Sequence, residues 1–230
     1  MSMLIDSYRF GGAWSPASLP GLVLWLDPSD SSTMTIDNGT VLSMADKSPS
    51  ALTLTPWVTA PAVGTVNGLP AVFIASSGNS LRATQTIVQP LTVVCVFKCA
   101  LLRGSQSTVS WRYSNGALNT GIGVTDGIKR WRQYSGKELL GDLADTLPHC
   151  GAAIANGTSS QLRLDGSVMA TGTPTLPGLG GSGSATLFVG SHGDINYFAG
   201  HLGEIVATNN AMAPSDITKL ETYLMSKWGI

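Results

Sequence analysis

Twenty-seven glycines and 12 prolines punctuate a chain of 230 residues, a breaker at about one position in six. Glycine inside a helix costs backbone entropy, and proline removes a hydrogen-bond donor. Long helices are therefore excluded, and with them a helical bundle or a coiled coil. Between the breakers lie short segments with the two-residue period of β-strands. Residues 22–27 are an apolar run that ends at the turn signal Asp27-Pro28. Residues 33–36 and 41–45 flank Asp37-Asn38-Gly39, a hairpin turn. Residues 91–98 are apolar on both faces and read as a central strand. Segments 71–74, 80–84, 108–113, 129–134, 149–155, 161–164, 168–171, 185–190 and 203–208 complete about a dozen strands at spacings of about 8–12 residues. The pattern predicts an all-β, antiparallel jelly-roll sandwich. The period changes at the C-terminus, where Ile217, Leu220, Leu224 and Trp228 recur at helical spacing. Pro214 and Asp216 suit the start of that helix, and Gly229 its stop.

Charged residues are 12% of the chain, about half the usual share. The surface must then be built from Ser, Thr, Asn and Gly. A net charge of −1 and a positive mean hydropathy argue against disorder. A pI near 6.3 argues against a nucleic-acid partner. The longest apolar runs are too short for membrane insertion. Cys95 and Cys99 stand four strand residues apart, about 13 Å and beyond disulfide reach, and with Cys150 read as small buried residues. The first ten residues carry Asp6 and Arg9 and lack the apolar stretch of a secretory signal, so synthesis without secretion is expected. Residues 1–20 form an arm in which Leu4, Ile5, Tyr8, Phe10 and Trp14 sit among glycines and prolines. Two readings stay open for it: an arm that packs on another protein, or a strap over its own domain at 21–230.

Four segments carry a family resemblance. Leu22-Val23-Leu24-Trp25-Leu26-Asp27-Pro28-Ser29-Asp30 resembles the opening strand of concanavalin A-like (laminin-G-like) jelly-roll domains of bacteriophage tail and other virion proteins. Ala45-Asp46-Lys47-Ser48 resembles the W-x-D-K-S turn of that family, with Met44 standing where a Trp is usual. Asn67-Gly68-Leu69-Pro70-Ala71 resembles its N-G-x-P-A step. Residues 200–208 and 214–230 resemble its closing G-x-I-x-E-I strand and terminal helix, with Ala207-Thr208 in place of the usual apolar-Tyr end. The resemblance implies a concanavalin A-like lectin/glucanase-type sandwich, and glycan binding in many of its members.

Catalytic constellations are sparse. Glycoside hydrolysis needs two carboxylates about 5–10 Å apart. The three glutamates, Glu138, Glu204 and Glu221, head no E-x-D-x-x-E motif, and Glu204 reads as a structural tie. His149, His192 and His201 have no metal-ligand spacing, and no G-x-S-x-G elbow exists. No cofactor is expected. Calcium is the alternative left open by Asp27, Asp30 and Asp37 near one turn and by Asp194 and Asn196 in another loop, although the first three read as turn-formers.

The charge pattern is asymmetric. Residues 98–137 hold seven of the 13 basic residues and one acid, Asp126. Arg130, Arg132 and Tyr134 share one strand face with Trp131 behind it, and Arg112 faces away from Trp111 and Tyr113. Arg112, Arg130, Arg132 and Tyr134 are thus the expected ligand-binding residues, for an anionic glycan or an acidic partner protein. A solvated basic face backed by core tryptophans is the plainer reading. The protein expected on these grounds is a non-enzymatic component of a virion, in a tail, a fibre or the capsid surface, oligomeric in the particle. Its arm would contact other virion proteins and its lectin-like domain the host surface polysaccharide. The alternatives are a purely structural decoration or baseplate protein and, third, a glycan-cleaving enzyme.

Overall fold

The computed structural model describes residues 14–75, 78–113, 118–173, 183–193 and 195–230, with the backbone alone at 118–120. Nineteen strands appear among these residues, more than the sequence pattern resolves. In chain order the first are β1 (Leu22–Leu26), β2 (Met34–Asp37), β3 (Thr40–Ala45), β4 (Thr53–Pro56), β5 (Ala62–Val66) and β6 (Leu69–Ile74). Next come β7 (Leu81–Ile87), β8 (Leu91–Cys99), β9 (Gln106–Ser107), β10 (Val109–Tyr113), β11 (Leu118–Thr120), β12 (Ile122–Val124) and β13 (Arg130–Tyr134). The rest are β14 (Glu138–Leu143), β15 (Pro148–Ala155), β16 (Ser160–Leu164), β17 (Ser167–Gly172), β18 (Gly183–Val189) and β19 (Gly200–Thr208). A single α-helix, α1 (Pro214–Trp228), closes the described chain.

The architecture is an antiparallel β-sandwich. One layer runs β11-β10-β18-β7-β4, and the other β3-β5-β6-β19-β8-β15-β16-β17 with β1 also on β19. The layers are continuous through β4. Its first half pairs with β3 (Met44 opposite Leu54, Ala45 opposite Thr53), and its second half with β7 (Thr55 opposite Arg82, Pro56 opposite Leu81). A smaller sheet, β14-β13-β12-β9, lies beside them. The apolar residues of the inner faces meet in one core that includes Leu24, Leu26, Phe97, Trp111, Trp131, Leu187 and Phe198. The strand β8 sits between β19 and β15 with all but one of its residues buried, as its two-faced apolar run requires.

The outer face of the second layer is covered by α1. Ile217, Leu220, Leu224 and Trp228 pack on Trp25, Val94, Val96, Cys150, Ala152 and Val206. A Cβ on Gly203 would stand 2.9 Å from Val96 Cγ1 and 3.0 Å from Trp228 Cη2, so glycine lets the last turn of the helix seat on β19. Gly229 takes the left-handed conformation that ends the helix (φ 67°). All three cysteines are buried and free. Burial pushes the Cys95 and Cys99 thiols up to about 12.

Of the first twenty residues, 14–20 are described. Trp14 meets the Tyr223 ring edge-on at 5.7 Å, Leu19 is buried in the helix–sheet cluster, and Asn210 Nδ2 donates to the Pro20 carbonyl at 2.7 Å. Leu4, Ile5, Tyr8 and Phe10 lie outside the described residues, and so does any contact they make.

Candidate functional site: an open sheet face

Among the described residues no helix lies on the face of the first layer that points away from the core. Register places its residues in rows. Arg82 is opposite Phe188, and Phe188 is opposite Ser110; Thr84 is opposite Thr186, and Thr186 is opposite Arg112. Since side chains alternate along a strand, these two rows and Ser184 and Thr86 share one side. Thr53 and Thr55 of β4 extend it, exposed like Arg82, Thr84 and Arg112. Most of these side chains are hydroxyls, two are guanidinium groups, and none is a carboxylate.

A depression of about 410 Å³ opens on this face. It is lined by Leu52, Thr53, Thr55, Arg82, Ala83, Thr84 and Thr186. Its position follows from the crossover of β4. The ladder to β7 runs only as far as Thr55, because Thr53 and Leu54 are paired with β3 instead. The strands part at that point and uncover the hydroxyls on both sides. Trp57, just beyond β4, stands at the edge. Its backbone N–H donates to Ser80 O at 2.9 Å, its ring meets Phe188 edge-on at 5.9 Å, and Arg82 Cζ lies 4.0 Å above the ring centroid. A guanidinium stacked this way is held flat, with its N–H edges free to meet a ligand.

Of the four residues expected to bind ligand, Arg112 alone belongs to this face. Arg130, Arg132 and Tyr134 lie on β13 in the small sheet. Arg132 is not solvated: it is 6% exposed, bonds Glu138 Oε1 at 2.6 Å and lies 5.8 Å from the Tyr134 ring centroid. Arg130 is half-buried and donates Nε–H to Gly141 O at 2.6 Å, and Lys129 pairs with Asp126 at 3.3 Å. The reading of 98–137 as one solvated basic face is corrected accordingly. Strand period fixes which side a residue takes, and the packing of neighbouring strands decides whether that side is open. The loop after β18 separates the two groups. A Cβ on Gly193 would touch Arg112 Nη1 at 2.9 Å, and the His192 ring lies 6.3 Å from that of Tyr134. Trp111 and Trp131 are in the core, the former donating Nε1–H to Gln85 Oε1 at 2.7 Å.

The glutamates are all engaged. Glu138 holds Arg132, and Glu221 takes Arg163 through two bonds of 2.7 and 2.8 Å. Glu204, fully buried, accepts from Trp25 Nε1 at 2.7 Å and from Lys227 Nζ at 2.6 Å. Lys227 also reaches both oxygens of Asp27 at 2.9 Å. Burial, with Asp27 close by, pushes the Glu204 carboxyl above its ordinary value despite Lys227. Asp27 is therefore part of a buried ionic knot as well as the turn-former expected, accepting from the Ser29 hydroxyl at 2.6 Å. Asp30 forms a local bond too, accepting from the Ser32 N–H at 3.1 Å. The Lys47 ammonium lies 3.3 Å from Asp27 and 2.9 Å from Asp30, where a calcium ion on this pair would sit. Among the described residues no three His, Cys, Asp or Glu side chains gather as a metal site, and Asp194 of the other candidate loop lies outside those residues.

His149 binds two carboxylates, Asp165 through Nδ1 at 2.7 Å and Asp145 through Nε2 at 2.9 Å, with the Phe97 and Trp131 rings against it. Burial disfavours the charged ring, but the two carboxylates outweigh it and raise its pKa above the ordinary value. The bonds are complete only when both ring nitrogens carry protons. Their stabilisation is thus full below the unfolded value of about 6.5 and is lost as pH rises through the higher folded value. In urea, the midpoint gap between the wild type and His149→Gln should narrow from about pH 6 to about pH 9; a gap independent of pH would contradict this.

No protein-family model matches the chain, and no curated protein matches it by sequence. Its fold, however, recurs in solved structures. Domain 4 of AbnA, a GH43 extracellular arabinanase from Geobacillus stearothermophilus in complex with arabinotriose, is similar at a TM-score of 0.65 and 15% identity, over 87% of this chain and 98% of that domain. Trypanosoma rangeli sialidase with 2,3-difluorosialic acid is similar at 0.64 and 14%, over 95% of this chain and 35% of the sialidase chain. A GH54 α-L-arabinofuranosidase mutant is similar at 0.59 and 14%, over 90% of this chain and 59% of its own. The chain thus spans about a third of the sialidase it matches. These likenesses overturn the expectation of a non-enzymatic virion protein. The neighbours are glycosidases or a domain of one, and the bacteriophage, virion and tail assignments find no support among them.

Proposed function

We propose that this chain is a carbohydrate-recognition domain of a glycan-processing protein, and that it holds an oligosaccharide on the open β10-β18-β7-β4 face. The depression at the β4 crossover carries the reading. It offers four threonine hydroxyls, each able to donate and accept, beside a tryptophan and a stacked arginine. A sugar presents hydroxyls at its rim and an apolar C–H face, and this surface matches both. The arabinanase domain supports the reading, since it is similar over nearly its whole length and is in complex with arabinotriose. The opening-strand and closing-strand motifs agree with it, because they join β1, β19 and α1 on the other layer of the sandwich.

A glycan array probed with the full chain tests the proposal. Wild type should retain a defined set of oligosaccharides, and Trp57→Ala together with Thr84→Ala should lose them while melting as a folded protein. Retention unchanged by these substitutions would remove this face from the account.

A further inference from the structure

Resting on that reading, we infer that the glycan taken by the open face carries carboxylates, as uronic or sialic acid units do. No acidic side chain lines the depression, and the cation at its edge has no ion pair among the described residues. Arg82 is exposed, and its guanidinium is fixed over Trp57 at 4.0 Å. The closest acid by sequence, Asp46, is buried and turned to other work. It accepts from the N–H groups of Trp25 and Ser48 at 2.8 Å and from the Ser48 hydroxyl at 2.7 Å. A planar guanidinium presents paired N–H donors that match the two oxygens of a carboxylate.

A second cation stands across the face. Arg112 is opposite Thr186, which lines the depression, and Arg82 lies on the strand at the other side of Thr186. The two arginines are two strands and two residues apart, so their Cα atoms are separated by about 12 Å. Thr186 and Phe188 of β18 lie between them, and Thr84 stands beside Arg82 on β7. The surface therefore presents threonine hydroxyls beside the fixed guanidinium of Arg82, which suits an oligosaccharide with a carboxylate on at least one unit. A neutral sugar would use the hydroxyls and the tryptophan and leave the fixed charge at Arg82 without a counterpart.

Titration calorimetry on the full chain separates the possibilities. The probes are trigalacturonate, its carboxyl-reduced neutral counterpart, sialyllactose and lactose. We expect at least one acidic probe to bind about tenfold or more tightly than its neutral counterpart, and the pair in which this occurs tells a uronate from a sialic acid. Arg82→Gln should abolish that preference, weakening the acidic probe about tenfold more than its neutral counterpart. Arg82→Lys, which keeps the charge without the planar fork, should recover part of it. Raising salt from about 0.05 to 0.5 M should weaken the acidic probe alone. If the neutral sugars bind as well as the acidic ones, or if Arg82→Gln changes both alike, the carboxylate inference is wrong and the carbohydrate reading stands. If no probe of either kind binds and the array is also blank, the underlying reading fails with it.

Discussion

Replacing Lys227 with methionine is expected to destabilise the fold by about 3–5 kcal/mol, the usual cost of removing one partner from a buried ion pair. The ammonium lies 2.6 Å from Glu204 Oε2 and 2.9 Å from both oxygens of Asp27, and these two carboxylates are almost completely buried. Without the cation they face one another in a poorly solvated place. Lys47 still reaches Asp27 at 3.3 Å, and further relief comes from protonation, which Glu204, whose pKa already stands above the ordinary value, undergoes first. The cost of Lys227→Met should therefore shrink as pH falls, and Glu204→Gln added to it should recover part of the loss. Urea unfolding at two pH values measures both effects. A cost below about 1 kcal/mol, the range of an exposed pair, would show that the knot does not hold β1, β19 and the helix together.

Trp131→Ala should cost about 3–5 kcal/mol. The side chain is almost wholly buried and meets Phe97 edge-on at 5.2 Å and His149 at 5.4 Å, so it fastens the small sheet to the central strand β8 and to β15. Truncation leaves a cavity between layers that cannot collapse, because the neighbouring strands are fixed by their own ladders. Oligosaccharide binding should survive in the folded fraction, since Trp131 is in the core and away from the β4–β7 depression. A melting temperature unchanged from wild type would contradict the packing; lost binding with unchanged stability would place the ligand on the small sheet.

Much of the sandwich was legible because its signals are local. Asn38-Gly39 takes positive φ, as the tight hairpin predicted there needs, and Asp165-Gly166 does the same between β16 and β17. The stripe Ile217, Leu220, Leu224 and Trp228 is the buried side of α1. The strands that escaped notice are short, edge-like or broken: β4 ends in Pro56, β5 contains Gly64, and β14 contains Gly141. The candidate face was largely illegible for a related reason. It is assembled from β4, β7, β18 and β10, which are far apart in the chain, and a count of charges along the sequence pointed instead to β13. A signal was present in the alternating hydroxyls of Thr53-Leu54-Thr55, Thr84-Gln85-Thr86 and Ser184-Ala185-Thr186. Such alternation marks one polar side of a strand without saying that three strands share it. The ionic knot shows the same limit: the motifs holding Trp25, Asp27, Glu204 and Lys227 were each readable, but their meeting at Glu204 depends on register between β1 and β19 and on the seat of the helix.

The central claim is that this β-sandwich recognises carbohydrate on its β10-β18-β7-β4 face. Amide chemical shifts recorded by NMR while the tightest-binding oligosaccharide from the array is titrated test it most directly. The account predicts that the perturbed amides cluster at residues 53–57, 82–86, 110–112 and 184–188. Perturbations confined to residues 130–134 and 191–193, or spread over the helix-covered layer, would contradict it.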